Sequence, residues 1–80
     1  MLELTLITKN KCGLCEVMKE EIKSALNNVE YSLQEKFIEN EDSLFNKYSG
    51  KVPVLLINGK IFAKFRLDGN KLLEKIGTLT

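Results

Sequence analysis

Two cysteines separated by two residues, Cys12 and Cys15, constrain this chain more than any other feature, and they are its only cysteines. An apolar run from Leu2 to Ile7 precedes them, and apolar residues at helical spacing follow them. A strand that ends at a pair of thiols, with a helix beginning beneath them, is the arrangement that disulfide exchange needs. The C-x-x-C spacing also begins many zinc sites, so the spacing alone leaves both chemistries open.

Length and charge limit the possible classes of protein. The chain has 80 residues, 44% hydrophobic and 29% charged, which predicts one small domain over residues 1–80. Its formal net charge is +1, so we expect no nucleic-acid partner. No apolar stretch approaches the roughly 20 residues of a membrane span, and no signal peptide is recognisable. We therefore expect a cytoplasmic protein without a membrane partner, in which a cysteine pair is more often catalytic or metal-binding than structural.

Hydrophobic periodicity predicts seven elements in the order β-α-β-α-β-β-α. Strands are expected at 2–7, 29–34, 52–57 and 61–65, and helices at 13–27, at 39–48 and after Asp68. Asn27-Asn28 should end the first helix in left-handed geometry. Asn58-Gly59 predicts a hairpin turn, and Asp68 predicts a helix cap. Strands joined through a helix lie parallel, so the predicted fold is α/β, with a four-stranded mixed sheet flanked by three helices.

Apolar residues at helical spacing are expected to face the core. In the three helices they are Leu14, Val17, Met18, Ile22, Ala25 and Leu26, then Leu44, Phe45 and Tyr48, then Leu72, Leu73 and Ile76. Other aromatic side chains are interpreted as packing in the core or at its rim, rather than as a binding surface. With Phe45 and Tyr48, these are Phe37, Phe62 and Phe65.

Three short motifs, in this order of elements, resemble the thioredoxin superfamily and within it the small glutaredoxin-like domain proteins. They are Lys9-Asn10-Lys11-Cys12-Gly13-Leu14-Cys15, Lys51-Val52-Pro53-Val54-Leu55 and Phe65-Arg66-Leu67-Asp68. The resemblance covers nearly the whole chain and implies a thioredoxin-like fold with thiol–disulfide oxidoreductase activity. It also implies a cis bond before Pro53 that turns the Val52 backbone toward an incoming peptide. The local sequence alone favours a trans proline at the first residue of a strand.

The two cysteines receive different roles. Cys12 is predicted to be the nucleophile, because the helix start and the nearby Lys9 and Lys11 should lower the pKa of its thiol. Cys15, one turn into the helix, is predicted to resolve the mixed disulfide. Two alternatives remain open: a redox-sensitive peptide-binding module with little turnover, and a metal-bridged dimer. A single chain without His or further Cys cannot supply four zinc ligands, so we expect no metal within the monomer.

The resemblance also implies a set of substrate-binding residues. They are Lys9, Lys11, Val52, Pro53, Arg66 and Asp68. In glutaredoxins a lysine at the position of Lys9 meets the glutathione carboxylate, and Asp68 is expected to cap the last helix and to meet a ligand amine. The Gly-Gly turn that receives glutathione in classical glutaredoxins is missing from this region, where Arg66 and Leu67 bring side chains instead; Arg66 can contact a carboxylate of its own.

The partner predictions follow from the same resemblance. We expect a monomer without a tightly bound cofactor that acts on a disulfide-containing protein or a small thiol substrate. The electron donor is expected to be either glutathione or a thioredoxin-reductase-like flavoenzyme.

Overall fold

A four-stranded mixed sheet with helices on both faces forms the core of the computed structural model, which describes residues 2–79. In chain order the elements are β1 (Leu2–Thr8), α1 (Gly13–Ala25), β2 (Tyr31–Phe37), a 3₁₀ turn (Ile38–Asn40), α2 (Asp42–Tyr48), β3 (Val54–Ile57), β4 (Lys60–Lys64) and α3 (Gly69–Leu79). The strand order is β2-β1-β3-β4. β1 pairs in parallel with β2, while β3 is antiparallel to both β1 and β4. The predicted fold class is confirmed.

The alternation of side chains along β1 divides the core into two clusters, one on each face of the sheet. Leu4 and Leu6 face the side covered by α1 and α3, where they join Met18, Ile22 and Leu72. On the opposite face, Ile7 joins a second cluster with Val54, Ile38 and Tyr48, which includes the end of α2. Each fully buried aliphatic side chain contributes about 1.5–3 kcal/mol. Because β1 is buried on both faces, its C-terminal end is held firmly where the cysteine loop begins.

The ends of the first helix and the second strand differ from the sequence prediction. α1 ends at Ala25 and not at Asn27, because the next residue, Leu26, is fully buried and has left helical geometry (φ −108°, ψ 24°). Neither asparagine that follows has a positive φ. β2 covers Tyr31–Phe37 rather than 29–34, since it pairs with β1 along the whole length of that strand. Tertiary pairing, which local periodicity does not contain, sets this register.

The second half of the chain shows similar shifts. The helix predicted at 39–48 is a 3₁₀ turn followed by α2, because Glu41 is extended (φ −142°) and interrupts it. β3 begins at Val54, because Pro53 has no N–H to donate to a ladder. β4 ends at Lys64, because Phe65 has a positive φ of 66° that no strand accommodates.

Two local sequence signals are confirmed in detail. Asn58 and Gly59 both have positive φ, as a tight hairpin turn requires, and Asn58 Oδ1 accepts a hydrogen bond from the Glu3 N–H at 3.2 Å. Asp68 Oδ1 accepts from the N–H groups of Asn70 at 3.0 Å and Lys71 at 3.3 Å, so the carboxylate caps α3.

Several apolar residues that were predicted to face the core are instead exposed. In α1 the positions that reach the sheet are Cys15, Met18 and Ile22, which already complete an apolar stripe at helical spacing. The exposed residues are Leu14, Val17, Phe45, Leu73 and, beyond β4, Phe65. Within residues 2–79 the structure contains no helix with the length and apolarity of a membrane span.

Candidate active site

Cys12 occupies the N-cap of α1, at the end of the short loop that leaves β1. It is joined to Cys15 by a disulfide, with the two Cα atoms 5.3 Å apart. The Cys15 N–H donates a hydrogen bond to Cys12 Sγ at 3.2 Å, and the Glu16 N–H donates to the Cys12 carbonyl at 3.3 Å. The Cys12 sulfur therefore takes the place of a polar capping atom, beside the N–H groups that a helix start leaves without partners.

The two sulfur-bearing residues differ in their access to solvent. Cys12 is partly exposed, whereas Cys15 is only 2% exposed and lies beneath it. A substrate sulfur can reach Cys12 from outside, while Cys15 can reach only Cys12. The geometry therefore distinguishes an outer thiol from an inner one.

Val52 shares an apolar cluster with the cysteine pair. Its side chain is buried in the cluster that holds Ile7, Tyr48 and Cys15, and Cys12 packs against the same cluster. The next residue, Pro53, is fully buried, and the Val52–Pro53 peptide bond is cis. The structure thus places Val52, forty positions after Cys12, in one apolar cluster with the cysteine pair, and Pro53 follows it directly in the chain.

The Val52 backbone has no hydrogen-bond partner among the residues that the structure describes. The neighbouring groups are engaged: the Lys51 N–H donates to the Tyr48 carbonyl, and the Pro53 carbonyl accepts from the Phe65 N–H, both at 2.8 Å. Val52 lies just before β3, and an unpaired N–H and C=O there offer main-chain groups with which another strand can pair.

The loop before Cys12 is held by a contact that the sequence analysis missed. Glu39, in the 3₁₀ turn, accepts a hydrogen bond from the Asn10 N–H through Oε2 at 3.0 Å. Lys11 has a positive φ of 55°, which turns the chain into the N-cap. No local signal singles out Glu39, because its partner lies 29 positions away.

The remaining predicted binding residues lie at the surface of the protein. Lys9, Lys11 and Arg66 are exposed, and none of them has a carboxylate within ion-pair distance in the described part of the chain. Asp68 is also exposed, and its carboxylate is used as the cap of α3. Their predicted contacts with a ligand stay predictions.

Lys19 forms ion pairs with two carboxylates, and one of them belongs to Glu16, which directly follows Cys15 in the chain. Lys19 Nζ lies 3.1 Å from a Glu35 oxygen and 3.5 Å from a Glu16 oxygen. The hydrogen bond to Glu35, with the two negative charges, raises the pKa of Lys19 above its ordinary value of 10.5. The negative charge of Glu16 is therefore paired with the positive charge of Lys19.

The described residues contain no group of three or more Cys, Asp or Glu side chains placed to hold a metal ion.

Comparison with known proteins agrees with this geometry. The family described as Glutaredoxin-like domain (DUF836) matches residues 3–77. A glutaredoxin-like protein from Dictyostelium discoideum is 31% identical over 84 aligned positions, which cover 98% of this chain and 78% of that protein.

Solved structures share the fold at lower identity. The X. campestris protein XcR50 superposes with a TM-score of 0.72 and 24% identity, covering 94% of this chain and 96% of that one. Oxidized mitochondrial thioredoxin 3 from Saccharomyces cerevisiae gives 0.63 with 11% identity, covering 96% of this chain and 77% of that one. Both likenesses confirm the thioredoxin fold. By the family match along nearly its whole length, the chain belongs to the glutaredoxin-like domain family of the thioredoxin superfamily.

Proposed function

We propose that this protein is a small thiol–disulfide oxidoreductase that works through Cys12 and Cys15. One observation carries the proposal: the two cysteines form a disulfide at the start of α1, with one sulfur reachable from solvent and the other buried. A disulfide that only stabilised the fold would not need one solvent-accessible sulfur and one buried sulfur. A two-step exchange uses it, because only one thiol meets the substrate.

In the proposed reaction the reduced protein begins with two thiols. The Cys12 thiolate attacks one sulfur of a substrate disulfide, which forms a mixed disulfide and releases the first substrate thiolate. The Cys15 thiolate then attacks Cys12 Sγ, which forms the Cys12–Cys15 disulfide and releases the second. The two protons lost by the cysteines balance the two that the substrate thiolates take up, and two electrons pass to the substrate.

The capping geometry supports the assignment of the first step to Cys12. Its sulfur accepts the Cys15 N–H and sits at the positive end of the α1 dipole, both of which stabilise a thiolate. The exposed Lys9 and Lys11 add positive charge on the loop that leads to it. The buried Cys15 lacks an approach from solvent and suits the resolving step.

We also propose that the Val52 backbone binds the substrate chain next to its disulfide. The unpaired N–H and C=O belong to a residue that shares one apolar cluster with the two cysteines. A substrate strand that pairs there would be held by main-chain hydrogen bonds beside Cys12. Lys9, Arg66 and Asp68 are proposed as the surrounding contacts.

Reduction of the Cys12–Cys15 disulfide requires an external donor of two electrons. Glutathione and a thioredoxin-reductase-like flavoenzyme are the two proposed donors, and the substrate is a disulfide-containing protein or a small disulfide. We propose that the protein acts as a monomer in the cytoplasm, where a cysteine pair is regularly returned to the thiol state.

Turnover of a disulfide tests the proposal. The oxidized protein is mixed with 2-hydroxyethyl disulfide and either glutathione with its reductase or a thioredoxin reductase, and NADPH consumption is followed. We expect turnover with at least one donor, and its loss in Cys12→Ser. Lys60→Glu, at the start of β4 next to the hairpin turn, serves as the control. Full activity of Cys12→Ser would overturn the assignment.

A second function, a redox-sensitive peptide-binding module, is favoured by the unpaired Val52 backbone. In that case the disulfide would switch the affinity for a strand rather than transfer electrons repeatedly. Partner capture that depends on oxidation state, in a wild-type protein without turnover under either donor system, would support this module over the oxidoreductase.

A further inference from the structure

The chain segment after β4 lies beside the cysteine site and has an unusual backbone. The Phe65 N–H donates to the Pro53 carbonyl at 2.8 Å, one residue beyond the unpaired Val52. The Arg66 N–H donates to the Lys64 carbonyl at 2.7 Å, which closes a tight γ-turn around Phe65. Phe65 therefore borders the same edge at which a substrate strand is proposed to bind.

Phe65 occupies this turn at a conformational cost. Its φ of 66° lies in the left-handed region, where a bulky side chain is an outlier. At Gly50 and Gly59 the same region is taken by glycine. The phenyl ring does not offset the cost by burial in the core, since Phe65 is 43% exposed. A strained residue with an exposed aromatic ring beside a reactive site indicates a role in function.

The three chain segments around the cysteine site carry positive charges and no negative ones. Residues 8–14, 49–54 and 64–67 carry five basic side chains and no acidic one, whereas the rest of the chain holds seven basic and eleven acidic side chains. We name these five the cationic rim: Lys9, Lys11, Lys51, Lys64 and Arg66, all exposed. None of them is within ion-pair distance of a carboxylate in residues 2–79.

The nearest acidic groups are already engaged within the protein. Glu39 accepts from the Asn10 N–H, Glu16 pairs with Lys19, and Asp68 caps α3. Because none of these carboxylates is within ion-pair distance of the cationic rim, the positive charges of the rim are left for a partner to complement.

Together these observations identify a partner by its chemistry. We propose that the site selects disulfides in extended, acidic polypeptide segments, in which an apolar side chain next to the reactive cysteine contacts Phe65. This inference rests on the proposed function and names its substrate class. The Val52 backbone binds the strand, the cationic rim attracts the acidic side chains, and Phe65 supplies an apolar contact.

Synthetic peptides test the selection directly. Each peptide carries one cysteine as a mixed disulfide with 5-thio-2-nitrobenzoate, and the released chromophore reports attack by the Cys15→Ser protein. Three peptides of equal length place Leu beside the cysteine and differ in their flanks, which are Glu, Lys or Ser. A fourth keeps the Glu flanks and replaces Leu with Ser.

We expect the Glu peptide to react at least about tenfold faster than the Lys peptide at low salt, with the ratio falling as salt screens the rim. Arg66→Glu and Lys51→Glu, made in the Cys15→Ser background, should each lower that ratio severalfold. Lys60→Glu, at the hairpin turn far from the cysteines, changes net charge equally and should leave it unchanged. Phe65→Gly should remove the preference for Leu over Ser.

The outcomes separate this inference from the proposed function. Equal rates for Glu and Lys peptides, in a protein that releases chromophore from both, would overturn the charge selection and leave the oxidoreductase intact. A preference for Leu that survives Phe65→Gly would overturn the role of Phe65. No release from any peptide, with no turnover of 2-hydroxyethyl disulfide, would overturn the proposed function itself and this inference with it.

Discussion

The Cys15 N–H donates a hydrogen bond to Cys12 Sγ at 3.2 Å, so the sulfur of the partly exposed cysteine caps the backbone N–H of the buried one. An N-cap side chain reaches the N–H two or three residues further along the helix, and Cys15 occupies the second of these positions. The same spacing brings the two sulfurs within bonding reach. The sequence motif thus supplies both the N-cap of α1 and the disulfide.

Replacing Asp68 with Ala should destabilise the protein by about 1 kcal/mol, because α3 loses the acceptor for two N–H groups at its start. Urea unfolding measures the change. Asp68→Asn is the matched control, since it keeps a capping oxygen and should keep most of the stability. If Asp68→Asn nevertheless lowers turnover, the carboxylate also meets the substrate; equal stability of Ala and Asn variants would contradict the cap.

Replacing Glu39 with Ala should loosen the loop before Cys12, because the Asn10 N–H loses its acceptor. The contact is at the surface, so the expected loss of stability is about 0.5–1 kcal/mol. Amide hydrogen exchange at Asn10 should accelerate more than the global change explains. Glu39→Gln retains an acceptor oxygen and should exchange close to the wild type; acceleration in both variants would assign the effect to charge.

The Lys19 ion pairs predict a pH dependence at alkaline pH. Since the pKa of Lys19 is raised in the folded state, its stabilising effect is complete below the unfolded value of 10.5 and is lost as pH rises through the folded pKa. The difference in unfolding free energy between wild type and Lys19→Met should therefore be constant from pH 7 to pH 9 and should shrink above pH 10.5. A difference that stays unchanged at pH 12 would contradict this role.

Phe65→Gly should change the unfolding free energy by no more than about 1 kcal/mol, since relief of the left-handed backbone offsets the lost ring contacts. Leu55→Ala, at a fully buried position, should cost about 2–5 kcal/mol in the same measurement. A loss in Phe65→Gly as large as that in Leu55→Ala would show that Phe65 is a core residue.

Features encoded within a few residues could be predicted from the sequence. The Asn58-Gly59 turn and the Asp68 cap depend on neighbours along the chain, and the structure places both as expected. The order of elements followed from periodicity, and the cysteine pair at the start of α1 followed from its position after β1. The order of elements was sufficient to predict the fold class.

Features decided by distant contacts could not be predicted in the same way. The register of β2 depends on its pairing with β1, and Glu39 reaches the cysteine loop across 29 positions. The left-handed backbone of Phe65 contradicts its local preference and is held by Pro53 across the sheet. At the site, the sequence therefore predicted the cysteine pair, and the family resemblance predicted Val52, but neither indicated the contacts of Glu39 and Phe65.

Trapping of the mixed disulfide tests directly whether Cys12 is the attacking cysteine and Cys15 the resolving one. Each single-cysteine variant is reduced, mixed with a disulfide-bridged substrate and examined by intact mass spectrometry without reductant. We expect Cys15→Ser to accumulate a mixed disulfide with the substrate on Cys12, whereas Cys12→Ser should remain unmodified because Cys15 is buried. An adduct on Cys15 in Cys12→Ser, formed as fast as that on Cys12, would contradict the assigned roles.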